Sequence, residues 1–81
     1  MQIQIRFFAS LAERAGAARL QISLADGATA SDAAIVLAGQ FPRLAADLQR
    51  VAMAVNYATV PAQTVLFDGD ELAFLPPVSG G

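Results

Sequence analysis

Gln2-Ile3-Gln4-Ile5-Arg6-Phe7 near the start of the chain alternates without a break: Ile3, Ile5 and Phe7 are separated by Gln2, Gln4 and Arg6. Successive side chains of a strand point to opposite faces, so this period predicts a strand with one buried and one polar face. The same habit recurs at Arg19–Leu24, where Leu20, Ile22 and Leu24 alternate with Arg19, Gln21 and Ser23. Between them, Ala9–Ala15 (ASLAERA) carries good helix formers and is followed by Gly16, suited to a left-handed C-terminal cap. Two strands that each show one apolar face need something laid across that face.

The following segment predicts the cover. After a turn at Asp26-Gly27, Thr29 can cap a helix whose first turn holds Asp32, a capping box with Asp where Glu is usual. The helix is expected to run to Gly39-Gln40, before Phe41-Pro42. Ala30, Ala33, Leu37 and Phe41 form one apolar stripe and Ile35 and Ala38 another, which predicts burial on more than one side. A short helical turn is expected at Arg43–Leu48. Val51–Val55 reads as a strand, Asn56-Tyr57-Ala58 as a turn, and Thr59-Val60 as a strand kept at an edge or end by Pro61. Asp68-Gly69-Asp70 is a further turn, Glu71–Leu75 the last strand, and Pro76-Pro77 its stop. The order predicts one α+β domain over 1–75, with a main helix across a mixed sheet and an extended tail over 76–81. The first and last strands are the most apolar and are expected side by side in the centre. The pattern is compatible with a β-grasp and leaves a ferredoxin-like arrangement open.

Composition narrows the chemistry. The chain has 81 residues, no cysteine, no histidine and a net charge of -2. It lacks a thiolate nucleophile, a disulfide framework, an imidazole base and the usual zinc ligands. Its five basic residues are all arginine, against seven acids, which argues against nucleic-acid binding. No apolar run approaches the roughly 20 residues of a membrane-spanning helix, and MQIQIRFF lacks the pattern of a signal peptide, so a cytoplasmic protein without a membrane partner is expected. The acids Glu13, Asp26, Asp32, Asp47, Asp68, Asp70 and Glu71 include a cluster at 68–71, but DGDE lacks the alternating ligands and distant glutamate of a calcium loop. A solvated turn is the better reading, and no metal site is expected. Ser10 and Ser79 have no histidine to activate them. Side-chain catalysis is not expected.

The remaining feature is the tail, Pro76-Pro77-Val78-Ser79-Gly80-Gly81. The prolines stiffen its exit, and two residues without a Cβ can thread a channel too narrow for any side chain. Its reactive group would be the carboxylate of Gly81, which needs activation, for instance by ATP to an acyl-adenylate.

FFASLAERAG, VAMAVN and DGDELAFLPPVSGG together resemble the small sulfur-carrier subunit of molybdopterin synthase, the MoaD-like proteins of the ubiquitin-like superfamily. The resemblance spans essentially the whole chain and implies a β-grasp. It further implies that an adenylating enzyme related to ubiquitin-activating enzymes uses ATP and magnesium to convert the Gly81 carboxylate to an adenylate, and that sulfur transfer then leaves a thiocarboxylate on Gly81. With Pro76, Pro77, Val78, Ser79 and Gly80 threading the tail, the large catalytic subunit would receive it, in a heterotetramer, and deliver sulfur to cyclic pyranopterin monophosphate for molybdenum cofactor biosynthesis. Rival readings are a carrier for thiamin thiazole or cysteine synthesis, a ubiquitin-like protein modifier joined through Gly81 to a lysine, and an interaction domain with an inert tail. Alternation supplies a partner surface: if Ile3, Ile5 and Phe7 face inward, Phe8 falls on the other face, and if Leu72 and Phe74 face inward, Leu75 points outward beside the tail. Phe8 and Leu75 are the expected apolar anchors.

Overall fold

β1 (Gln2–Phe7) buries Ile3, Ile5 and Phe7 and leaves Gln2 and Gln4 exposed, as its alternation demands. The computed structural model describes residues 1–76. α1 (Ala9–Ala15) follows, closed by Gly16 in the left-handed conformation at φ 77° with its N–H on the Ala12 carbonyl. β2 (Arg19–Ser23) returns antiparallel to β1, with Gln2 opposite Ser23 and Arg6 opposite Arg19.

α2 (Ala30–Gln40) starts at a complete capping box. The Thr29 hydroxyl accepts from the Asp32 N–H at 3.1 Å, and the Asp32 carboxylate accepts from the Thr29 N–H at 2.9 Å. Pro42–Leu44 then forms a 3-10 turn leading into α3 (Ala45–Leu48). β3 (Ala52–Val55) begins one residue later than its apolar run, because the Val51 N–H still bonds back to the Asp47 carbonyl at 3.1 Å. Asn56 and Tyr57 make a two-residue hairpin turn into β4 (Ala58–Val60), both at positive φ, 49° and 74°. Pro61 follows β4, which is an edge strand. β5 (Glu71–Leu75) closes the sheet and is followed by Pro76.

The strand order is β2-β1-β5-β3-β4, so β1 and β5 are neighbours and β5 occupies the middle. β1 and β5 run parallel, with Phe7 opposite Phe74, and β3 runs antiparallel to β5, with Ala52 opposite Leu75. This is the β-grasp arrangement, and it excludes the βαββαβ order of the ferredoxin-like alternative.

The core lies between one sheet face and the helices. Leu37, Leu44, Leu66, Leu72 and Phe74 are fully buried there with Ile3 and Ile5. The Phe7 ring meets Phe41 edge-on at 5.9 Å and Phe74 at 5.8 Å. The expectation that α2 is buried on more than one side is corrected. Ala30, Ala33 and Leu37 are buried and Ala38 of the second stripe is half-buried against the core, whereas Ile35 is 67 % exposed. Ile35 lies two residues from both Ala33 and Leu37, about 200° around the helix from each, and it ends at the rim of an open groove rather than in the core.

Candidate functional site

The face of the sheet opposite α2 carries the residues that alternate with the core. β1 presents Arg6 and, just past its end, Phe8; β5 presents Glu71, Ala73 and Leu75; β3 presents Ala54; the hairpin adds Tyr57 and Thr59. Together they line a shallow groove of about 180 Å³. Small side chains at Ala54 and Ala73 make its floor, so the larger Phe8, Leu75 and Tyr57 stand as walls. Phe8 and Leu75 are both half-buried, and Tyr57 is 85 % exposed. Phe8 does not pack beneath α1: it precedes that helix in extended conformation, and the Arg6 guanidinium sits 4.5 Å above its ring centre. Arg6 also faces the Glu71 carboxylate at 3.7 Å.

The groove adjoins the point where the chain leaves the sheet. Leu75 is both the last residue of β5 and a wall of the groove, and Pro76 is half-buried beside it. Position along β5 is fixed from the other end. Asp70 accepts the Phe67 N–H at 2.8 Å and the Asn56 side-chain N–H at 3.0 Å, while Asn56 Oδ1 accepts the Glu71 N–H at 3.0 Å. Asp68 accepts the Gln2 N–H at 2.7 Å. Asp68 and Asp70 therefore tie a turn to its neighbours, each through backbone or amide donors, while the Glu71 carboxylate faces Arg6. Asp32 belongs to the helix cap and Asp47 pairs with Arg14. Among the described residues, no three acids are grouped in a way that could hold a metal ion. No helix among them is long and apolar enough to cross a membrane.

Of the residues the sequence singles out, Phe8 and Leu75 come together on one groove, and Pro76 stands at its end. Pro77, Val78, Ser79, Gly80 and Gly81 lie outside the described residues. Sequence reasoning missed Ala54, Tyr57, Thr59 and Ala73. Ala73 was within reach, since it shares the alternation of Leu75; the other three required the β3–β5 register and the hairpin. It also missed a larger apolar groove of about 630 Å³ on the helical side, where Ala34, Ile35 and Ala38 of α2 face Leu48, Met53 and Val60.

A family model described as the ThiS family matches residues 5–81. The sequence is 35 % identical over 82 residues to the molybdopterin synthase sulfur carrier subunit of Mycobacterium tuberculosis, covering 100 % of this chain and 99 % of that one. The crystal structure of SAMP1, a small archaeal modifier protein from Haloferax volcanii, superposes with a TM-score of 0.86 at 30 % identity and full coverage, 100 %, of both chains. A chain in the protein–protein complex of subunits 1 and 2 of molybdopterin-converting factor from Helicobacter pylori superposes with a TM-score of 0.71 at 27 % identity, covering 100 % of both.

Proposed function

The chain belongs to the ThiS family, and from that premise we propose that it is the sulfur carrier subunit of a molybdopterin synthase, working through its C-terminal tail. The observation that carries this reading is the full-length likeness, at 35 % identity, to a relative of that name, in a chain whose sequence ends Pro76-Pro77-Val78-Ser79-Gly80-Gly81.

The proposed chemistry needs no side chain of this protein. A Gly81 carboxylate oxygen attacks the α-phosphorus of ATP on an adenylating enzyme, with magnesium assisting, and pyrophosphate leaves. Hydrosulfide-level sulfur from the donor then attacks the acyl carbon, the acyl–phosphate bond breaks with AMP as the leaving group, and a thiocarboxylate remains after loss of the proton. The large subunit, for which the Helicobacter pylori two-subunit complex offers a precedent, would receive the tail and supply the base and the pterin pocket, in a heterotetramer. Phe8 and Leu75 would anchor the carrier, because they flank the groove at the root of the tail. Gly80 and Gly81 would give clearance, since neither has a Cβ.

A second reading is favoured by one observation: a neighbour matching at a TM-score of 0.86 is named a modifier. As a modifier, the activated Gly81 would acylate a lysine amine of a target protein. One experiment separates the two. The full chain is incubated with ATP, magnesium, an adenylating enzyme and a sulfur donor, and its intact mass is measured, then large subunit and pyranopterin precursor are added. A carrier gains the mass of sulfur for oxygen and loses it to the precursor. Loading without that transfer assigns the carrier to another pathway, such as thiamin thiazole or cysteine synthesis. Isopeptide-linked adducts without sulfur loading select the modifier. No mass change with any adenylating partner overturns both.

A further inference from the structure

We propose that Arg6 and Arg19 form the cationic half of the docking face and receive a carboxylate side chain of the large subunit, beside the groove that takes its apolar side chains. This inference rests on the reading of the chain as a carrier that docks on a large subunit. It starts from the β1–β2 ladder. The Phe7 N–H bonds to the Ala18 carbonyl and the Leu24 N–H to the Met1 carbonyl, so the pairs between them alternate in type. Gln2–Ser23, Gln4–Gln21 and Arg6–Arg19 are then the pairs without backbone hydrogen bonds, in which side chains approach most closely. All three lie on the face opposite the helices, because Ile3, Ile5 and Phe7 point the other way.

Two of these pairs satisfy each other. The Gln2 amide donates to the Ser23 hydroxyl at 2.8 Å, and the Gln4 amide donates to the Gln21 oxygen at 3.0 Å. Gln21 also donates diagonally to Gln2 at 2.6 Å. The third pair places two arginines opposite each other in register, with the Arg6 guanidinium drawn over the Phe8 ring and towards Glu71, and like charges paired directly across a ladder destabilise a sheet. Glu71 faces only Arg6, at 3.7 Å, and among the described residues no carboxylate lies within ion-pairing distance of Arg19. The mismatched pair is also the one nearest the groove, since Arg6 lines it with Phe8 and Leu75. The chain as a whole is acidic, at -2, whereas this end of the open face carries two arginines and one glutamate. An incoming carboxylate would bridge the two guanidiniums, relieve their repulsion and fix which way the carrier sits over its partner. Two arginines opposite each other in register, of which only Arg6 is paired with a carboxylate, thus specify an acidic partner side chain rather than a basic or purely apolar one.

The test uses the full chain and its large subunit, with association measured across ionic strength for the wild type, Arg19→Gln, Arg19→Lys and Arg19→Glu. Arg19 is exposed, so the substitutions leave the core intact. Arg19→Glu is expected to slow association about tenfold at low salt and to flatten its salt dependence, the mark of a charge that steers docking. Arg19→Gln should show a smaller loss, and Arg19→Lys should recover most of it. Thermal unfolding of the free carrier supplies a readout with the opposite sign: Arg19→Gln removes a repulsive pair, so its midpoint is expected to be unchanged or higher while its binding is weaker. Wild-type association and salt dependence in Arg19→Glu, with sulfur still transferred, would overturn this inference and leave the carrier reading standing. Failure of the wild-type chain to bind the large subunit would overturn both.

Discussion

Asn56→Ala tests the connection between the hairpin turn and the strand that leads to the tail. Asn56 sits at φ 49°, a left-handed conformation that costs most L-residues about 1 kcal/mol and that Asn tolerates better. Its side chain also makes two hydrogen bonds, to the Asp70 carboxylate and from the Glu71 N–H, both at 3.0 Å. Exposed bonds of this kind contribute about 0.5–1.5 kcal/mol each, and the lower half of that range applies where water competes. Alanine loses both bonds, about 1–2 kcal/mol together, and takes on about 1 kcal/mol of left-handed strain that Asn tolerates, so the expected destabilisation is about 2–3 kcal/mol. For a domain of this size that lowers the unfolding midpoint by roughly 10–20 °C. Asn56→Gly loses the same bonds but relaxes the backbone, so it should cost about 1 kcal/mol less than alanine. Urea unfolding followed by circular dichroism gives both values. Equal destabilisation by alanine and glycine would refute the backbone part of the argument, and an alanine variant within about 0.5 kcal/mol of wild type would refute the hydrogen-bond part as well.

Three other substitutions probe separate links. Leu37→Ala, on the fully buried side of α2, should cost about 2–5 kcal/mol, whereas Ile35→Gln on the exposed side should stay within about 0.5 kcal/mol of wild type in the same urea titration. Deletion of Gly81 should abolish sulfur loading by intact mass and leave the unfolding midpoint of the domain where it was. Leu75→Asp and Phe8→Ala should each weaken binding to the large subunit by about tenfold or more, the size expected of a central anchor, with isothermal calorimetry as the measurement; undiminished affinity in both would remove the groove from the interface.

The elements that sequence made legible are those whose signals are local. The alternation at Gln2–Phe7, the Thr29/Asp32 cap, the Gly16 stop and the 68–70 turn each depend on residues a few positions apart, and each lies where its chemistry places it. What was not legible depends on pairing across the chain. Ile35 looks like a second core stripe until the number of layers is known, and the cross-strand meeting of Arg6 with Arg19 follows only from register. The same holds for Asn56, whose partners are 14 and 15 residues away. The candidate site divides in the same way. Phe8 and Leu75 follow from alternation, but their convergence on one groove follows from the parallel placement of β1 beside β5.

The position of β5 gives that convergence a mechanical meaning. β5 is the only strand of the described sheet that follows the last turn and leads to the tail, and it is also the innermost, paired to β1 on one side and β3 on the other. Leu72, Ala73 and Phe74 are buried in succession along it. The root of the tail at Leu75-Pro76 is therefore fixed to the core rather than to an edge, and from there the covalent chain over 77–81 can span at most about 17 Å. A partner that docks on the open face thereby fixes the volume that Gly81 can reach. In the proposed carrier, docking and tail insertion would then behave as two linked binding events, in which the first sets the effective concentration of the second. Loosening β5 at its core, as with Phe74→Ala, should therefore lower the efficiency of tail insertion as well as stability, whereas a comparable destabilisation of α2, as with Leu37→Ala, away from the open face, should lower stability alone. Single-turnover sulfur transfer at a temperature where both variants remain folded separates the two, and equal transfer rates would refute the linkage.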